Sequence, residues 1–215
     1  MAKVSELLEL ARKQLGVRES PPGSNNVRYN TWYYGREVHG GTYPWCVVFV
    51  QWVFDQAGVK LPARTASCTA LMNAAKAAGC WVTEDYRPGD VVIYDWGGDR
   101  LPDHCGIVEA VEGTYLSAIE GNTSAANDSD GGAVERRARK CKQVLGAVRP
   151  AFDKEEEAMA EPRYNTVEEC PDWARATVGK LVDRECLTGD GQGLDLSRDM
   201  LRVLVVLDRA GCFWE

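Results

Sequence analysis

The residues best suited to chemistry are a cysteine, a histidine and a carboxylate–amide pair that follow one another along the chain. Cys46 lies in residues 43–52, YPWCVVFVQW, and His104 comes 58 positions later in the segment DHCGIV. Glu120 and Asn122 follow in the segment IEGN. A thiol attacks only as its thiolate, and an imidazole can take its proton and remain as the counter-ion. A third group then orients the imidazole, so this order of residues predicts a thiol-dependent hydrolase.

The local sequence predicts elements that could bring these groups together. Pro44 suits the first turn of a helix that runs to about residue 57, and the positive end of that helix would stabilise a thiolate at Cys46. His104 begins a predicted strand over 104–111 and is preferred to His39, which lies in a glycine-rich loop. Glu120 and Asn122 are two residues apart, so both can face one side of an extended strand. Either could be the third group.

Helices come before a run of short strands, and this order is typical of an α+β fold. A turn at residues 87–90 leads into the first of these strands, and a tight turn near residue 113 joins two others. The remaining predicted elements of the region 1–150 are helices over 4–15 and 66–78 and strands over 91–94, 114–120, 133–138 and 144–148.

A charged, proline-bounded linker is predicted over 151–163, between a catalytic domain at 1–150 and a small helical module at 164–215. The module contains two amphipathic helix patterns, at about 171–184 and 197–210. Residues 1–150 carry 17 Lys/Arg and 17 Asp/Glu, whereas the remainder carries 8 and 15. Nucleic-acid binding is disfavoured because neither part offers a basic surface. The cluster at 136–140 is interpreted as a solvated strand or turn.

The eight cysteines are interpreted mainly as small core residues. The first residues lack the apolar segment of a secretory signal, so we expect a chain made in the cytoplasm with reduced thiols. No CxxC pair is present, and the spacings argue against a structural zinc site. No run approaches the ~18 apolar residues of a membrane span, so membrane insertion is not expected. No metal or cofactor is predicted.

These motifs resemble the CHAP domain, a cysteine- and histidine-dependent amidohydrolase/peptidase of papain-like fold, over roughly residues 1–150. The resemblance is carried by residues 43–50, the turn and strand start at 87–91, and the segments around His104 and Glu120. It implies that Cys46 is the nucleophile, His104 the base and Glu120 its orienting partner, with Asn122 assisting. Related hydrolases with a Cys-His-His order are excluded because no histidine follows His104. Some members bind calcium before the nucleophile, but residues 20–30 contain no Asp.

The resemblance implies cleavage of an amide bond in Gram-positive peptidoglycan, as an N-acetylmuramoyl-L-alanine amidase or an endopeptidase. The start of the chain also resembles phage or prophage endolysins, which reach the wall through a holin. Four aromatic residues near Cys46 could line a substrate groove: Trp32, Tyr33, Tyr34 and Trp45.

The sequence is also compatible with two other functions. The alternatives are a wall-binding or scaffold protein with an inert thiol, and a thiol amidase or peptidase that acts away from the wall. The C-terminal module is predicted either to bind the wall or to form homo-oligomers, and the sequence does not decide between these roles.

Overall fold

The computed structural model describes residues 2–153, 163–189, 191 and 193–213. It divides into two compact units, Met1–Glu155 and Glu156–Glu215. Most of the predicted linker at 151–163 lies outside the described residues. Among those that are described, no helix has the length and apolar character needed to cross a membrane.

The first unit is an antiparallel sheet with helices on one face, which confirms the predicted α+β class. The strands are ordered β1-β6-β2-β3-β4-β5 across the sheet, and every neighbouring pair is antiparallel. The helices are α1 (Val4–Arg12), α2 (Arg28–Tyr34), α3 (Cys46–Gln56) and α4 (Cys68–Ala77), and the strands are β1 (Trp81–Val82), β2 (Val91–Tyr94), β3 (His104–Glu112), β4 (Tyr115–Thr123), β5 (Ala133–Lys140) and β6 (Val144–Val148).

Helix α3 is the centre of the core, which explains why its first nine residues are all apolar except Gln51. Val47, Phe49, Val50 and Val53 are fully buried, and the helix packs against β3 and β4 as well as α1 and α2. A helix that is hydrophobic all round must be covered by protein on most of its surface. The N-terminus of α3 is therefore held firmly, and with it the backbone of the first helical residue, Cys46.

Gly121 allows β4 to approach α3 directly. A Cβ atom at this position would lie 2.5 Å from Phe49 Cβ and 2.9 Å from the Trp45 ring, closer than real contacts permit. Any larger residue would push the helix away from the strand, because a packed core transmits such displacements. The glycine between Glu120 and Asn122 thus fixes the distance between β4 and the start of α3.

The second unit packs α5 (Asp172–Asp183) against α6 (Arg198–Arg209). Its core is small and includes Cys170, Val178 and Leu201. Ser197 caps α6 by accepting a hydrogen bond from the Met200 backbone N–H at 3.1 Å. Both helices agree with the amphipathic patterns in the sequence to within one residue at each end.

Three elements of the first unit are absent from the sequence prediction. Residues 28–34 form helix α2 rather than an unassigned aromatic segment, and neither the two-residue strand β1 nor the short 3₁₀ helix Cys141–Gln143 was predicted. Helix α2 contains three consecutive aromatic residues, which have little intrinsic preference for a helix. It forms because Tyr29 is buried against Phe49 and Trp52 of α3, and this tertiary contact is absent from any local pattern.

Candidate active site

Cys46 is the first residue of α3, and its thiol lies in a cluster of three. Its Sγ is 4.0 Å from Cys68 Sγ, and the sulfur atoms of Cys46, Cys68 and Cys105 all lie within 4.8 Å of one another. Cys68 is the first residue of α4, and Cys105 is the second residue of β3. Sequence reasoning missed the two neighbours because they lie 22 and 59 positions from Cys46, and only the fold brings them to it.

His104 is fully buried at the beginning of β3, and its ring is stacked against two aromatic residues. The ring centroids of Tyr94 and Trp96 lie 6.1 and 6.3 Å from that of the imidazole. Its Nε2 lies 3.3 Å from Glu120 Oε2. Nδ1 is therefore the nitrogen available to the Cys46 proton. Among the described residues, neither ring nitrogen forms a hydrogen bond of good geometry, so no other donor competes with Cys46 for the imidazole.

Gly106 makes room for the carboxylate that faces the imidazole. A Cβ atom at this position would lie 2.6 Å from Glu120 Cγ. The Glu120 side chain therefore passes over the bare backbone of β3, next to the histidine two residues earlier in the chain. A residue larger than glycine at position 106 would collide with the Glu120 side chain. The register between β3 and β4 brings these two positions together.

Arg139 holds the other side of Glu120 and is the residue of the site that sequence reasoning missed most completely. Its Nε and Nη2 donate to Glu120 Oε1 and Oε2 at 2.8 and 2.5 Å, and its Nη1 donates to Asp128 at 2.7 Å. The guanidinium also lies over the Trp96 ring, 4.9 Å from its centroid. The prediction of a solvated strand for 136–140 is wrong at this position, because the Arg139 side chain is only 6 % exposed. No local signal distinguishes it from its basic neighbours.

The charges of the site reinforce one another. Hydrogen bonds from Cys105 and Cys68 and the nearby His104 outweigh burial and hold the pKa of Cys46 well below that of an ordinary thiol. Burial opposes the charged form of His104, but Cys46 and Glu120 outweigh it and raise its pKa to about 9. Burial also opposes the ionised form of Glu120, and Arg139 and His104 together lower its pKa. These shifts favour the charged form of each group: a thiolate, an imidazolium and a carboxylate.

This arrangement is suited to nucleophilic catalysis by a thiol. The thiolate is the attacking species, and the imidazolium can deliver its proton to a leaving group. The first backbone N–H groups of an α-helix have no partner within it, so those at the start of α3 can donate to an oxyanion that forms at Cys46. Glu120 lies beside the imidazole in the position that the third member of a triad occupies.

Asn122 lies on the same strand as Glu120, but its amide contacts a loop. Its Nδ2 donates to Asp130 Oδ1 at 3.2 Å, and its Oδ1 accepts from the Gly132 N–H at 3.3 Å. The residue has a φ of 59°, a conformation that asparagine tolerates better than most residues. These contacts anchor the turn between β4 and β5, and the predicted assistance to catalysis remains a prediction.

The aromatic residues predicted to bind substrate fall into two groups. Trp45 is fully buried, and its Nε1 donates to Glu19 Oε1 at 2.8 Å, so it packs in the core and cannot line a groove in this structure. Trp32, Tyr33 and Tyr34 are half-buried on α2. Trp32 also lines a surface cleft of about 650 Å³. His39 is exposed in its loop, away from the core of the unit.

Replacing Arg139 tests whether Glu120 depends on it. The change Arg139→Met should lower the free energy of unfolding by about 3–5 kcal/mol, because it leaves a buried carboxylate without its strongest partner. Arg136→Met on the same strand should cost about 0–1 kcal/mol, since its side chain is 49 % exposed. Urea unfolding and hydrogen exchange of β4 peptides measure both.

The double variant Arg139→Met/Glu120→Gln controls for lost packing. It should recover part of the stability, because it removes the unpaired charge while keeping the side-chain sizes. Equal losses in the single variants Arg139→Met and Arg136→Met would contradict the dependence of Glu120 on Arg139.

Comparison with known proteins gives one family match and several structural similarities. The solved structures include the endolysin LysIME-EF1, with a TM-score of 0.46 and 14% identity over 71% of this chain and 66% of that chain. They also include Ly7917, with a TM-score of 0.41 and 19% identity over 69% of this chain and 62% of that chain. The chain thus spans slightly less than two thirds of either structure. Comparison with curated proteins finds no match.

The family match falls on the segment that contains the thiol site. Residues 38–122 match the CHAP domain, and this stretch begins shortly before α3 and ends on β4. It includes Cys46, His104, Glu120 and Asn122, and it excludes Arg139. The matched stretch thus contains the thiol, the imidazole and the carboxylate of the site, whereas Arg139 lies beyond it.

Proposed function

We propose that the chain is a peptidoglycan hydrolase of the endolysin type that cleaves an amide bond with Cys46 as nucleophile. The observation that carries this proposal is the buried series Cys46–His104–Glu120, in which a thiol at a helix N-terminus lies beside an imidazole that contacts a carboxylate. The match of residues 38–122 to the CHAP domain supports the same class of reaction.

The reaction would proceed through an acyl-enzyme. The Cys46 thiolate adds to the amide carbonyl carbon, and the backbone N–H groups at the start of α3 stabilise the oxyanion. His104 donates its proton to the leaving nitrogen, the C–N bond breaks, and a thioester remains on Cys46. His104 then takes a proton from water, which attacks the thioester and regenerates the thiolate as the acid leaves.

The proposed substrate-binding surface lies on α2 and beside Arg64. Trp32 and Tyr33 form a half-exposed aromatic surface, with the Arg64 guanidinium 4.8 and 4.7 Å from their ring centroids. Aromatic surfaces beside charged groups can hold a sugar ring or a stem peptide. The bond would be the link between muramic acid and L-alanine or one within the peptide. We expect synthesis in a host cytoplasm and action on the wall after holin-type release.

The second unit is proposed to bind the cell wall. Three apolar residues of α6 are exposed, namely Met200, Val203 and Val206 at 47, 58 and 64 %. An adjoining groove of about 390 Å³ is lined by Leu187, Leu196 and Leu204 together with the first two of these residues. A small unit that leaves such a face uncovered has a surface for a partner.

Removing the nucleophile is the direct test of the proposed reaction. Cys46→Ala should reduce the lysis of purified Gram-positive walls by roughly 10⁴-fold or more, because the covalent step is lost. Cys80→Ala changes a partly exposed thiol outside the cluster and should lyse walls at the wild-type rate. Mass spectrometry of the digest then assigns the bond.

Two results would favour the alternatives. Lysis or wall remodelling that survives Cys46→Ala would indicate an inert thiol in a binding protein. Cleavage of unrelated amides without cleavage of purified walls would indicate an amidase or peptidase that acts elsewhere.

The pH dependence of turnover tests the roles of His104 and Glu120. His104 must be protonated to release the leaving amine, so kcat/KM on soluble wall fragments should fall as the pH rises through about 9. Glu120→Gln should move this decline to lower pH, because the carboxylate is one of the groups that raise the pKa of the imidazole.

Glu109→Gln is the matched control, since Glu109 lies on β3 and pairs with Arg12 and Arg136 instead. Glu109→Gln should leave the fall of kcat/KM at the same pH as in the wild type. An identical profile for Glu120→Gln and wild type would assign the orienting role to another group.

The second unit's role can be tested in the full chain with Val203→Lys. This change should reduce co-sedimentation of the protein with purified walls and leave its molar mass in solution unchanged, because it places a charge in the exposed apolar face. Arg202→Lys, at an exposed neighbour on the same helix, is the control. A wild-type dimer that becomes a monomer on Val203→Lys would indicate self-association instead.

A further inference from the structure

The three sulfur atoms around Cys46 have the separations of a metal-binding set. The Sγ atoms of Cys46, Cys68 and Cys105 lie within 4.8 Å of one another, and the first two are 4.0 Å apart. Zinc bound by thiolates at about 2.3 Å in a tetrahedral site requires sulfur–sulfur distances of about 3.8 Å. Small side-chain rotations would therefore close the set around one ion.

The backbone around the cluster favours thiolates over thiols. Cys46 and Cys68 are the first residues of α3 and α4, which are 11 and 10 residues long. Two helix N-termini therefore direct their positive ends at the same group of sulfur atoms, and each stabilises a negative charge there. Cys105 joins them from β3, so the ligands come from three different elements of one rigid core.

A further polar group faces the cluster. His104 is fully buried, and among the described residues its Nδ1 has no hydrogen-bond partner. Its Nε2 lies 3.3 Å from Glu120, and Cys46 is close enough to raise the pKa of the imidazole. The metal-binding set supported by the distances is the three sulfur atoms, and the imidazole adjoins it beside Cys46.

We propose that Cys46, Cys68 and Cys105 bind a thiophilic divalent cation such as Zn²⁺ and that the bound ion withholds the nucleophile. Each thiol that still carries a proton releases it to solvent as its metal–sulfur bond forms, and no oxidant or reductant is needed. Cys46 and Cys68 are 7 and 9 % exposed, which leaves an approach to the cluster from solvent. The binding claim is independent of the proposed function. Only the consequence for catalysis rests on it.

Metal binding can be measured without any hydrolysis assay. The full chain carrying Cys186→Ser and Cys212→Ser serves as the background, because those exposed thiols could bind metal on their own. In this background, under a non-thiol reductant, one Zn²⁺ per chain should bind in competition with a chromogenic chelator. Cd²⁺ should produce the ultraviolet charge-transfer band of cadmium–thiolate bonds.

Single variants of the neighbours identify the ligands. Cys68→Ala and Cys105→Ala should each weaken binding at least about 100-fold, since even outer-sphere partners of a metal contribute about 10–100-fold. Cys80→Ala, in the same background, should bind as tightly as the background protein. Circular dichroism verifies folding, and Cys68→Ser replaces Cys68→Ala if the latter unfolds.

The result for Cys46 links the ion to the nucleophile. Bound Zn²⁺ should protect Cys46 from iodoacetamide in the background protein, as read by peptide mass spectrometry, and removal with a chelator should restore alkylation. Wild-type affinity in both Cys68→Ala and Cys105→Ala, or alkylation of Cys46 that Zn²⁺ does not slow, would overturn the proposal. If the protein binds Zn²⁺ as proposed but lyses no walls, the proposed function fails while the metal site stands.

Discussion

The buried ion pair between Glu120 and Arg139 is the interaction on which the rest of the site depends. A carboxylate that is fully buried would ordinarily take up a proton, because the interior penalises its charge. The bidentate contact with Arg139 and the nearby imidazole keep it ionised, and the ionised form in turn stabilises the imidazolium of His104. The imidazolium then stabilises the thiolate. Charge alternates along the series from Arg139 to Cys46, and each member needs the one before it.

Two glycines allow this series to form between strands and helix. Gly106 leaves space on β3 for the Glu120 side chain. Gly121, on the strand β4 that carries Glu120, lets this strand contact Phe49 and Trp45 at the start of α3. Gly106 thus sets the distance between the Glu120 carboxylate and the imidazole, and Gly121 sets the distance between β4 and α3. Neither glycine has a positive φ, so their role is close approach rather than unusual backbone conformation. The short motifs around His104 and Glu120 thus combine a reactive residue with the space it requires.

The sequence predicts those parts of the structure that depend on local patterns. The nucleophile helix, the strand that begins at His104 and the strand that carries Glu120 follow from apolar periodicity and turn residues, and their predicted bounds differ little from those observed. Arg139, Cys68 and Cys105 depend on strand register and on the packing of α4, which are set by contacts far apart in the chain. Trp45 illustrates the opposite error. Proximity to Cys46 in sequence suggested a substrate contact, whereas its side chain packs into the core.

The thiol cluster has consequences for how the nucleophile is selected. A second thiolate about 4 Å from the first would be opposed by about 4 kcal/mol at the effective dielectric typical of proteins, so the three thiols do not all ionise together. Burial and the Cys46 thiolate raise the pKa of Cys105, and Cys46 with burial raises that of Cys68 despite a hydrogen bond from Cys105. Hydrogen bonds from its two neighbours and the charge of His104 lower the pKa of Cys46. Cys46 is therefore the thiol that ionises, and its neighbours act as donors to it. A divalent cation reverses this balance because it compensates several negative charges at once. The arrangement that favours a single reactive thiolate is therefore also one that favours metal binding.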